Sequence, residues 1–297
     1  MLNFEDLVAH ARKKGLKKVA LAVAEEESAL KAVKRARDEK IAEPILVGSL
    51  DKIKAIASGI GWDLSGIMIV DAPDAAQAAI ETVKLVKTGQ ADIVMKGLLH
   101  TDVLLKAVLD KDVGLRTGKL LSHVFLLEVP AYHKLLILSD CAMNIAPTLE
   151  EKKCILQNAI DVAVNIGIEK PKVAIVASVE EVNPKMPATL DAAILSKMAD
   201  RKQIKNAIVD GPLAFDNSIS RRAAEEKGIQ SPVAGDADIL LLPQIEAGNI
   251  LYKALVYFAG VKAAGIIIGA RAPVVLTSRA DTEESKFFSI VLAAAIV

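Results

Sequence analysis

Residues 66–95 have the sequence GIMIVDAPDAAQAAIETVKLVKTGQADIVM, and this stretch decides the fold. Two short apolar runs, 66–70 and 91–95, enclose a segment with helical periodicity. Pro73 stands in the first helical turn, where proline is tolerated, and Gly89 stands where the helix must end. Continuous apolar strands on either side of a helix are typical of a β-α-β unit in a parallel sheet covered on both faces.

The same alternation extends in both directions from this unit. Earlier strands are predicted at residues 18–24 (KVALAVA) and 43–47, with a charged helix between them. Later strands have the same short apolar form and are predicted at residues 122–128, 135–138, 173–177, 206–209, 238–242 and 265–268. We therefore expect the α/β class, with mostly parallel sheets, helices on both faces and right-handed crossovers.

The length of the chain, 297 residues, exceeds the usual size of one hydrophobic core and predicts two domains. Hydrophobic residues make up 52% of the chain but aromatic residues only 3%, so the core must be aliphatic. That composition favours alternating strands and helices over a β-sandwich. A second series of strands and helices ends near residue 269, and we place the break between the domains near residue 129.

Charge and cysteine content argue against several classes of function. The 37 basic and 37 acidic side chains balance, and no basic arm or aromatic-rich patch indicates a nucleic-acid surface. The two cysteines, Cys141 and Cys154, form neither a metal-ligand spacing nor a disulfide framework. No apolar run is long enough to span a membrane, and the first residues lack a secretory signal, so we expect a cytoplasmic protein.

Ligands of parallel sheets gather at the carboxyl ends of the strands, which makes the loop after residues 91–95 a candidate site. It contains Lys96, which could contact a phosphate, and His100, which could be a base, a donor or a structural residue. A later loop places Arg116 and Lys119 around small residues, which suits either an anion or a solvated surface. The sequence contains no glycine-rich dinucleotide fingerprint and no P-loop.

A third candidate lies between the last predicted strand, 274–276, and the last helix. Ser278 and Arg279 follow the strand, and Asp281 with Glu284 has the acidic pattern of a helix start. A helix N-terminus favours anions, and the fork of donors on arginine binds phosphate or carboxylate groups. The pattern therefore predicts either an anion site or a helix cap beside a surface arginine.

Other polar loops are weighed against simpler structural roles. Cys141 could be a nucleophile, but a free cysteine is most often a small buried residue. Asp140, Asp210 and Asp216 are scattered without metal-ligand spacing, so turn and cap roles are favoured and no metal site is predicted. Gly248 lies inside a helical period and predicts the close approach of a neighbouring helix or a ligand.

Four strings follow one another in the chain: DCAMN (140–144), DGPLAFD (210–216), AGDADILLLPQIEAGNILYKAL (234–255) and GARAPVVLTSRAD (269–281). Together and in this order they resemble the phosphate acyltransferases, the group of phosphate acetyltransferases and phosphate butyryltransferases. The resemblance covers the chain from about residue 91 onward. Two further strings are more similar to the butyryl than to the acetyl enzymes, namely GLRTGK (114–119) and SDCAMNIAPTLEEK (139–152).

The resemblance implies two α/β domains of the isocitrate/isopropylmalate-dehydrogenase type, with the active site in the cleft between them. The first domain would comprise residues 1–128 plus 270–297, because the C-terminal helix returns to it, and the second would comprise residues 129–269. The implied reaction converts acyl-CoA and inorganic phosphate into acyl phosphate and CoA by direct attack in a ternary complex. CoA is then a substrate, no permanently bound cofactor is expected, and the enzyme is expected to be a homo-oligomer.

The resemblance also assigns residues to this chemistry. Ser278 and Arg279 match the catalytic pair before the last helix, and Ser285 stands where the family has its proposed aspartate base. Asp281 and Glu284 are the nearest carboxylates and become candidates for that base. Phosphate or CoA binding is expected of a set of residues in or near the matching strings: Arg271, Lys96, His100, Arg116, Lys119, Asn144, Asp210, Gly248 and Asn249.

The leading prediction is phosphate butyryltransferase activity. Phosphate acetyltransferase activity is the alternative, because the matching strings do not fix the length of the acyl chain. The serine in place of the aspartate base favours a third alternative, a CoA-binding protein without catalytic activity. Release of free CoA thiol from an acyl-CoA in the presence of phosphate separates the enzymes from the binding protein.

Overall fold

The computed structural model of the protein describes residues 1–277 and 281–297. These residues form two compact units. We call residues 5–119 with 264–297 the terminal unit, and residues 1–4 with 120–263 the central unit. The domain boundaries predicted near residues 129 and 269 stay a prediction, because compactness alone does not show which part of a chain folds independently.

Helices and strands alternate along the described chain. The helices are α1 (Phe4–Lys13), α2 (Glu27–Asp38), α3 (Leu50–Gly59), α4 (Ala75–Lys87), α5 (Thr101–Val108), α6 (Leu149–Asn165), α7 (Pro187–Asp200), α8 (Phe215–Ile219), α9 (Arg221–Glu226), α10 (Ile245–Ala259) and α11 (Glu283–Ile296). The strands are β1 (Lys17–Ala22), β2 (Ala42–Gly48), β3 (Met68–Asp71), β4 (Ile93–Lys96), β5 (Ser122–Glu128), β6 (Leu136–Ser139), β7 (Lys172–Val176), β8 (Ile208–Leu213), β9 (Ile239–Leu241), β10 (Lys262–Ile268) and β11 (Val274–Val275).

The strands of the terminal unit lie in the order β3-β2-β1-β4-β11-β10. Neighbouring strands are parallel except β10 and β11, which run antiparallel. β4 is buried along its whole length and β1 along its last four residues, as continuous apolar strands require. The predicted β-α-β unit at residues 66–95 is therefore confirmed, with β3 and β4 joined by α4.

The strands of the central unit lie in the order β5-β6-β9-β7-β8. Of the neighbouring pairs in this order, β5 and β6 run antiparallel and the others run parallel. The prediction of a loop from Asp210 onward is wrong, because β8 continues through Leu213 and α8 begins at Phe215. β8 is the last strand in the order, so Pro212, which has no N–H group, is tolerated there. The α/β class with mostly parallel sheets is confirmed in both units.

The cores are aliphatic, as the composition predicts. In the central unit, leucine, valine and alanine side chains from β5, β6, β7 and β9 form one buried cluster, which also contains Phe125 and Cys141. Tyr252 of α10 stacks on Phe125 with ring centroids 3.7 Å apart and thereby fixes α10 to β5. In the described part of the chain, no helix combines the length and the hydropathy that a membrane crossing requires.

Candidate functional site

The first group of predicted site residues lies at the carboxyl end of β4. Lys96 ends this strand, and its side chain turns back so that Nζ donates to Gly97 O at 3.3 Å and to Leu99 O at 3.1 Å. Lys96 is buried, whereas His100, the N-cap residue of α5, is exposed and forms no side-chain cap. The lysine charge is therefore held inside the loop, and the imidazole is open to solvent.

Backbone contacts join this loop to the loop that follows β1. Gly97 N donates to Ala22 O at 2.9 Å, and Leu98 N donates to Val23 O at 2.8 Å. A Cβ at Gly97 would stand 2.3 Å from Val23 O, so only glycine allows the two chains to approach this closely. Val23 has φ of 53°, a left-handed conformation that is strained for a β-branched residue and that often marks functional sites.

A carboxylate is enclosed next to the same loop. Glu25 Oε1 accepts a hydrogen bond from Ser49 N at 2.9 Å. Glu25 Oε2 is buried and has no hydrogen-bond partner among the described residues. A Cβ at Gly48 would stand 2.4 Å from Glu25 Oε2, so Gly48, which has φ of 152°, leaves room for the carboxylate. The carboxyl edge of this sheet therefore combines a buried lysine with a buried carboxylate oxygen.

Lys286 anchors the start of α11 to the loop after β1. Its side chain is only 1% exposed, and Nζ lies 3.1 Å from Glu26 Oε1. Nζ also donates to Asp281 O at 3.0 Å, and Ser28 Oγ donates to Glu26 Oε1 at 2.7 Å. A buried lysine is tolerated only when its charge is paired in this way. Asp281, which precedes α11, is thus tied through Lys286 to the loop that follows β1.

The helix start predicted at Asp281 is wrong by one residue. Thr282 is the N-cap of α11, and its Oγ1 accepts a hydrogen bond from Ser285 N at 3.1 Å. A threonine hydroxyl can accept this bond as a carboxylate can, and Thr282 has the correct spacing to Ser285. Glu284 lies exposed in the first turn of the helix. The predicted catalytic residues Ser278 and Arg279 lie outside the described residues.

Arg116, Lys119 and Arg271 form a second group at the other end of the same strands. Arg271 N donates to Leu115 O at 2.9 Å, which holds the two loops together. β11 and β4 are parallel with Val274 beside Val94, so residues before Val274 lie at the amino-terminal ends of the strands. Lys96 lies at the carboxyl end. The structure therefore separates these exposed cations from Lys96 and His100, and their binding roles stay predictions.

Asp140 organises a third group in the central unit, in the loop after β6. Asp140 Oδ1 accepts hydrogen bonds from Ala142 N at 2.9 Å and Met143 N at 3.0 Å. Oδ2 accepts from His123 N at 3.1 Å and from Asn144 Nδ2 at 2.6 Å. Four donors therefore converge on one buried carboxylate, which forms the turn. This agrees with the turn role that the sequence favoured over metal binding.

Helix α10 packs directly against that turn. Asn249 Nδ2 donates to Cys141 O at 3.1 Å. A Cβ at Gly248 would stand 2.7 Å from Asp140 O and 3.0 Å from Cys141 Sγ, so the glycine permits the contact. Burial raises the pKa of the Cys141 thiol, and the negative charge of Asp140 raises it further. The thiol is therefore neutral near pH 7 and lacks the thiolate character of a nucleophile.

The remaining predicted residue, Asp210, stands apart from this turn. It lies half-buried inside β8, where its Oδ1 accepts a hydrogen bond from Gly211 N at 2.8 Å. β8 and β6 are separated by β9 and β7 in the sheet order. The structure thus brings together Asn144, Gly248 and Asn249 but not Asp210. Among the described residues, no group of three or more His, Cys, Asp or Glu side chains could hold a metal ion.

The sequence did not single out Lys286, Glu26 or His123. One feature of the sequence could have indicated Lys286, which is a charged residue directly before an apolar run in a helix. Glu26 follows a buried strand, at the position where functional residues of parallel sheets gather. His123, which is 1% exposed, lies within the apolar strand β5 and gave no signal beyond its residue type.

Comparison with known families and proteins gives a consistent result. The family model described as "Phosphate acetyl/butaryl transferase" matches residues 3–82 and 74–294. The chain is 52% identical to the phosphate butyryltransferase of Clostridium acetobutylicum over 99% of this chain and 98% of that protein. It is 50% identical to the phosphate acetyltransferase of Thermotoga maritima, with 98% of each chain covered.

Solved structures agree with the sequence comparisons. A branched-chain phosphotransacylase from Enterococcus faecalis V583 matches with a TM-score of 0.83 and 38% identity, over 94% of this chain and 98% of that one. A 4-hydroxythreonine-4-phosphate dehydrogenase from Klebsiella pneumoniae matches with a TM-score of 0.58 and 13% identity, over 94% of this chain and 99% of that one. The second match shows the fold alone and confirms the predicted resemblance to dehydrogenase architecture.

Proposed function

The chain belongs to the phosphate acetyl/butyryl transferase family, whose members interconvert acyl-CoA and phosphate with acyl phosphate and CoA, and we propose that butyryl-CoA is its preferred substrate. The protein is therefore an acyltransferase. The observation that carries the choice of acyl group is the 52% identity to a phosphate butyryltransferase over nearly the whole of both chains. Phosphate acetyltransferase activity is the second candidate, favoured by 50% identity to the enzyme of Thermotoga maritima.

We propose direct attack of phosphate on the thioester, without an acyl-enzyme. Cys141 is the cysteine in the matching strings, and burial together with the charge of Asp140 raises the pKa of its thiol. A buried neutral thiol is a poor nucleophile, which supports a ternary complex of enzyme, acyl-CoA and phosphate. CoA leaves as the thiolate or thiol, and in the reverse direction it must lose a proton before it attacks the acyl phosphate.

In the proposed mechanism, Arg279 and Ser278 stabilise the negative charge that develops on the carbonyl oxygen and phosphate. Lys96 and His100 contribute cationic and donor groups at the carboxyl end of β4. Asp281 is our first choice for the base that accepts the CoA proton. Its support is that Thr282 caps α11, which removes the capping role as an alternative explanation for Asp281. Glu284 is the second choice, since it lies within the helix on the exposed side.

Two further parts of the proposal concern the oligomeric state of the enzyme and its location in the cell. We propose that it acts as a homo-oligomer and that it works in the cytoplasm. The location is supported by two free cysteines, Cys141 and Cys154, because reduced cysteines are typical of that compartment. The oligomer is supported by apolar side chains that α10 exposes to solvent.

The activity test follows free CoA thiol released from butyryl-CoA and from acetyl-CoA, with and without inorganic phosphate. We expect release only with phosphate, and a higher kcat/KM for butyryl-CoA. A higher kcat/KM for acetyl-CoA would establish the second candidate instead. Absence of phosphate-dependent release with both substrates would contradict the proposed function.

The site test compares two arginines of one unit. Arg279→Ala should lower kcat by about 100-fold or more, because it removes a donor to developing charge. Arg271→Ala is the matched control, since Arg271 lies at the amino-terminal ends of the strands. Its replacement should change only KM for CoA if it binds CoA, and neither constant if it does not. Equal kcat for the wild type and the folded Arg279→Ala variant would remove Arg279 from the mechanism.

The base test compares Asp281→Asn with Glu284→Gln. If Asp281 accepts the CoA proton, Asp281→Asn should lower kcat for CoA attack on butyryl phosphate by about 100-fold. Glu284→Gln should leave kcat within about threefold of the wild-type value, which is under 1 kcal/mol in the barrier. The reverse ranking would transfer the role to Glu284, and two unchanged variants would exclude both carboxylates.

A further inference from the structure

The amino-terminal ends of β7 and β8 border a cavity of about 720 Å³ in the central unit. Three lysines line it, with Lys170 from the segment before β7 and Lys202 and Lys205 from the segment before β8. Ile204, which is only 4% exposed, and Ala207 give the lining an apolar part. Cavities of this size in proteins accommodate small molecules.

The pairing of β7 with β8 brings the two lysine-bearing segments side by side. The strands are parallel with Lys172 beside Ile208, and Ile208 N donates to Pro171 O at 3.0 Å. Neighbouring strands lie about 4.8 Å apart, so the segments that lead into them are close to each other as well. Lys170 therefore lies on one wall of the cavity, and the other two lysines lie on the opposite wall.

The wall that carries Lys202 and Lys205 is fixed by hydrogen bonds of its backbone. Lys202 N donates to Ala199 O at 2.9 Å, which closes the end of α7. Lys205 N donates to Gln157 Oε1 of α6 at 3.1 Å. The two lysines therefore extend from a backbone that is already held in place. Such preorganisation lowers the entropic cost of binding a ligand.

The ammonium groups of the three lysines have no protein partner within the described residues, neither in an ion pair nor in a hydrogen bond. Asp200, which also lines the cavity, is paired with Lys197 of α7 at 2.6 Å. Glu169 is the other acidic residue of the lining. The cavity therefore has an excess of positive charge, although the whole chain is neutral.

The end of α7 offers one alternative explanation for these lysines. Cations are favourable near the last carbonyl groups of a helix, and α7 ends beside the cavity. Those carbonyls already accept backbone hydrogen bonds, from Arg201 N to Lys197 O at 3.1 Å and from Gln203 N to Met198 O at 2.8 Å. They therefore do not need the lysine side chains as partners.

A solvated surface is the second alternative. Lysines on a convex surface extend away from one another into water, whereas these three line one concavity. Charges of one sign that line a cleft reinforce each other's field and concentrate ions of the opposite sign there. The arrangement therefore favours the binding of an anion over a role in solubility alone.

Lysine ammonium groups are compact point charges that commonly bind phosphate. Three of them on two walls exceed what a single phosphate group needs. We propose that this cavity binds an oligophosphate, which is a small molecule with two or more linked phosphate groups. The site goes beyond the proposed function, because it lies at the amino-terminal ends of the parallel strands, whereas the turn at Asp140 follows the carboxyl end of β6.

The first experiment measures binding to the wild-type protein by isothermal titration calorimetry, at near-physiological salt and without magnesium. The probes are orthophosphate, pyrophosphate and tripolyphosphate. We expect the dissociation constant to fall by about tenfold or more from orthophosphate to tripolyphosphate, because the longer chain engages more ammonium groups. Equal constants for the three probes, or no binding of tripolyphosphate at millimolar concentration, would overturn the proposal.

Two double variants locate the bound anion. Lys202→Gln/Lys205→Gln should raise the dissociation constant of tripolyphosphate by about tenfold or more, because it removes two of the three ammonium groups. Lys52→Gln/Lys54→Gln is the matched control, because it changes the net charge equally at two exposed lysines of α3. Its constant should stay within about twofold of the wild-type value, since salt screens charges more than about 8 Å apart. All four positions are exposed, so the fold should be kept.

The linked phosphates could belong to an inorganic chain or to a nucleotide, and ATP separates these two sources. Tighter binding of ATP than of tripolyphosphate would show that the nucleoside contacts the apolar lining at Ile204. Equal or weaker binding would assign the site to inorganic oligophosphate. In both cases the Lys202→Gln/Lys205→Gln variant should lose the binding.

A labelling experiment gives an independent measurement on the unchanged protein. Acetic anhydride modifies accessible lysines, and mass spectrometry reports the extent at each one. Tripolyphosphate should reduce the labelling of Lys170, Lys202 and Lys205 and leave that of Lys52 unchanged. Binding that neither protects these three lysines nor weakens in the Lys202→Gln/Lys205→Gln variant would place the anion elsewhere on the protein and overturn the proposal.

Discussion

Helices α10 and α11 have similar apolar sequences, but the structure surrounds them differently. α11 is buried from Lys286 through Ala295, so no face of this part of the helix is open to solvent. α10 is fully buried only at Gly248 and exposes Phe258 almost completely. An apolar helix that the core encloses on all sides contributes to the stability of its own unit. An apolar helix with one bare face leaves part of its apolar surface in contact with water.

The two helices also hold their candidate-site loops by different means. α11 uses a buried charge, because Lys286 links Asp281 O to the Glu26 carboxylate. α10 uses the absence of a side chain, because Gly248 lets Asp140 and Cys141 approach the helix. A charge pair fails when one partner is removed, whereas a glycine contact fails when an atom is added. This difference can be tested by substitution on each helix.

The largest effect is expected at Lys286. Lys286→Met removes the charge but keeps the length of the side chain, and leaves the half-buried Glu26 without its cation. We expect the free energy of unfolding to fall by about 3 kcal/mol, as in other buried ion pairs that lose one partner. Denaturant unfolding measures this loss. The turnover of butyryl-CoA should fall as well, because Asp281 loses the hydrogen bond from Lys286 to its backbone oxygen.

The double variant Lys286→Met/Glu26→Gln is the control for this prediction. Removal of both charges should restore most of the stability, since the penalty comes from the unpaired carboxylate. Turnover should not be restored to the same extent, because the bond from Lys286 to Asp281 O is still absent. If the single variant is as stable as the wild type, apolar packing alone holds α11. The buried charge would then not distinguish α11 from α10.

A smaller effect is expected at Gly248. Gly248→Ala adds a Cβ at a point 2.7 Å from Asp140 O, a backbone atom that cannot move without the turn. Alanine favours a helix by about 1 kcal/mol over glycine, so the clash must exceed that gain. We expect a net loss of about 2 kcal/mol in the free energy of unfolding, typical of an overpacked core, and a raised KM for CoA.

Gly59→Ala is the matched control for Gly248→Ala. Gly59 also belongs to a helix, α3, but a Cβ there would meet nothing within 4 Å. Its stability should be unchanged or increased by up to about 1 kcal/mol. Equal stabilities for the two variants would show that α10 has room to move away from the turn, and would contradict the close contact at Gly248.

Ser289 tests the interior of α11 at a smaller scale. Its Oγ accepts a hydrogen bond from Gly265 N at 2.9 Å and donates to Ser285 O at 2.7 Å, and the side chain is fully buried. Ser289→Ala leaves the Gly265 N–H without this acceptor and should reduce the free energy of unfolding by about 1.5 kcal/mol. Ser196→Ala, in half-buried surroundings on α7, removes only a donor and should lose about 0.5 kcal/mol. An equal loss of unfolding free energy at both positions would contradict the larger contribution assigned to the buried hydroxyl of Ser289.

The sequence predicted the sheets because their strands are short continuous apolar runs. Residues 18–24 and 91–95 show this form and became β1 and β4. It did not predict that β8 continues through DGPL, because aspartate, glycine and proline together are typical of turns. The strand is possible there because β8 has a neighbour on one side only in its sheet order. A tertiary circumstance therefore overrode the local pattern.

The site was predictable where residues adjacent in sequence form it. DCAMN contains both Asp140 and the Asn144 that donates to it, so the string itself encodes the turn. Lys286 and Glu26 come from opposite ends of the chain, and a single sequence gives no means to pair them. The sequence also could not predict that α11 is buried and α10 exposed, because both helices have apolar residues around most of their circumference.

The smallest effect is expected at Cys141, the residue that α10 covers. Cys141→Ser replaces a buried thiol by a hydroxyl of similar size, and should lower the free energy of unfolding by about 1 kcal/mol. If the thiol only packs against Gly248, kcat should fall by less than about tenfold, or 1.4 kcal/mol in the barrier. Cys154→Ser, at the exposed cysteine of α6, is the control and should change neither quantity. Complete loss of turnover in a folded Cys141→Ser variant would mean that the thiol takes part in the chemistry despite its burial. The turn under α10 would then be catalytic in its own right, and the direct attack proposed for the phosphate would have to give way to a covalent route.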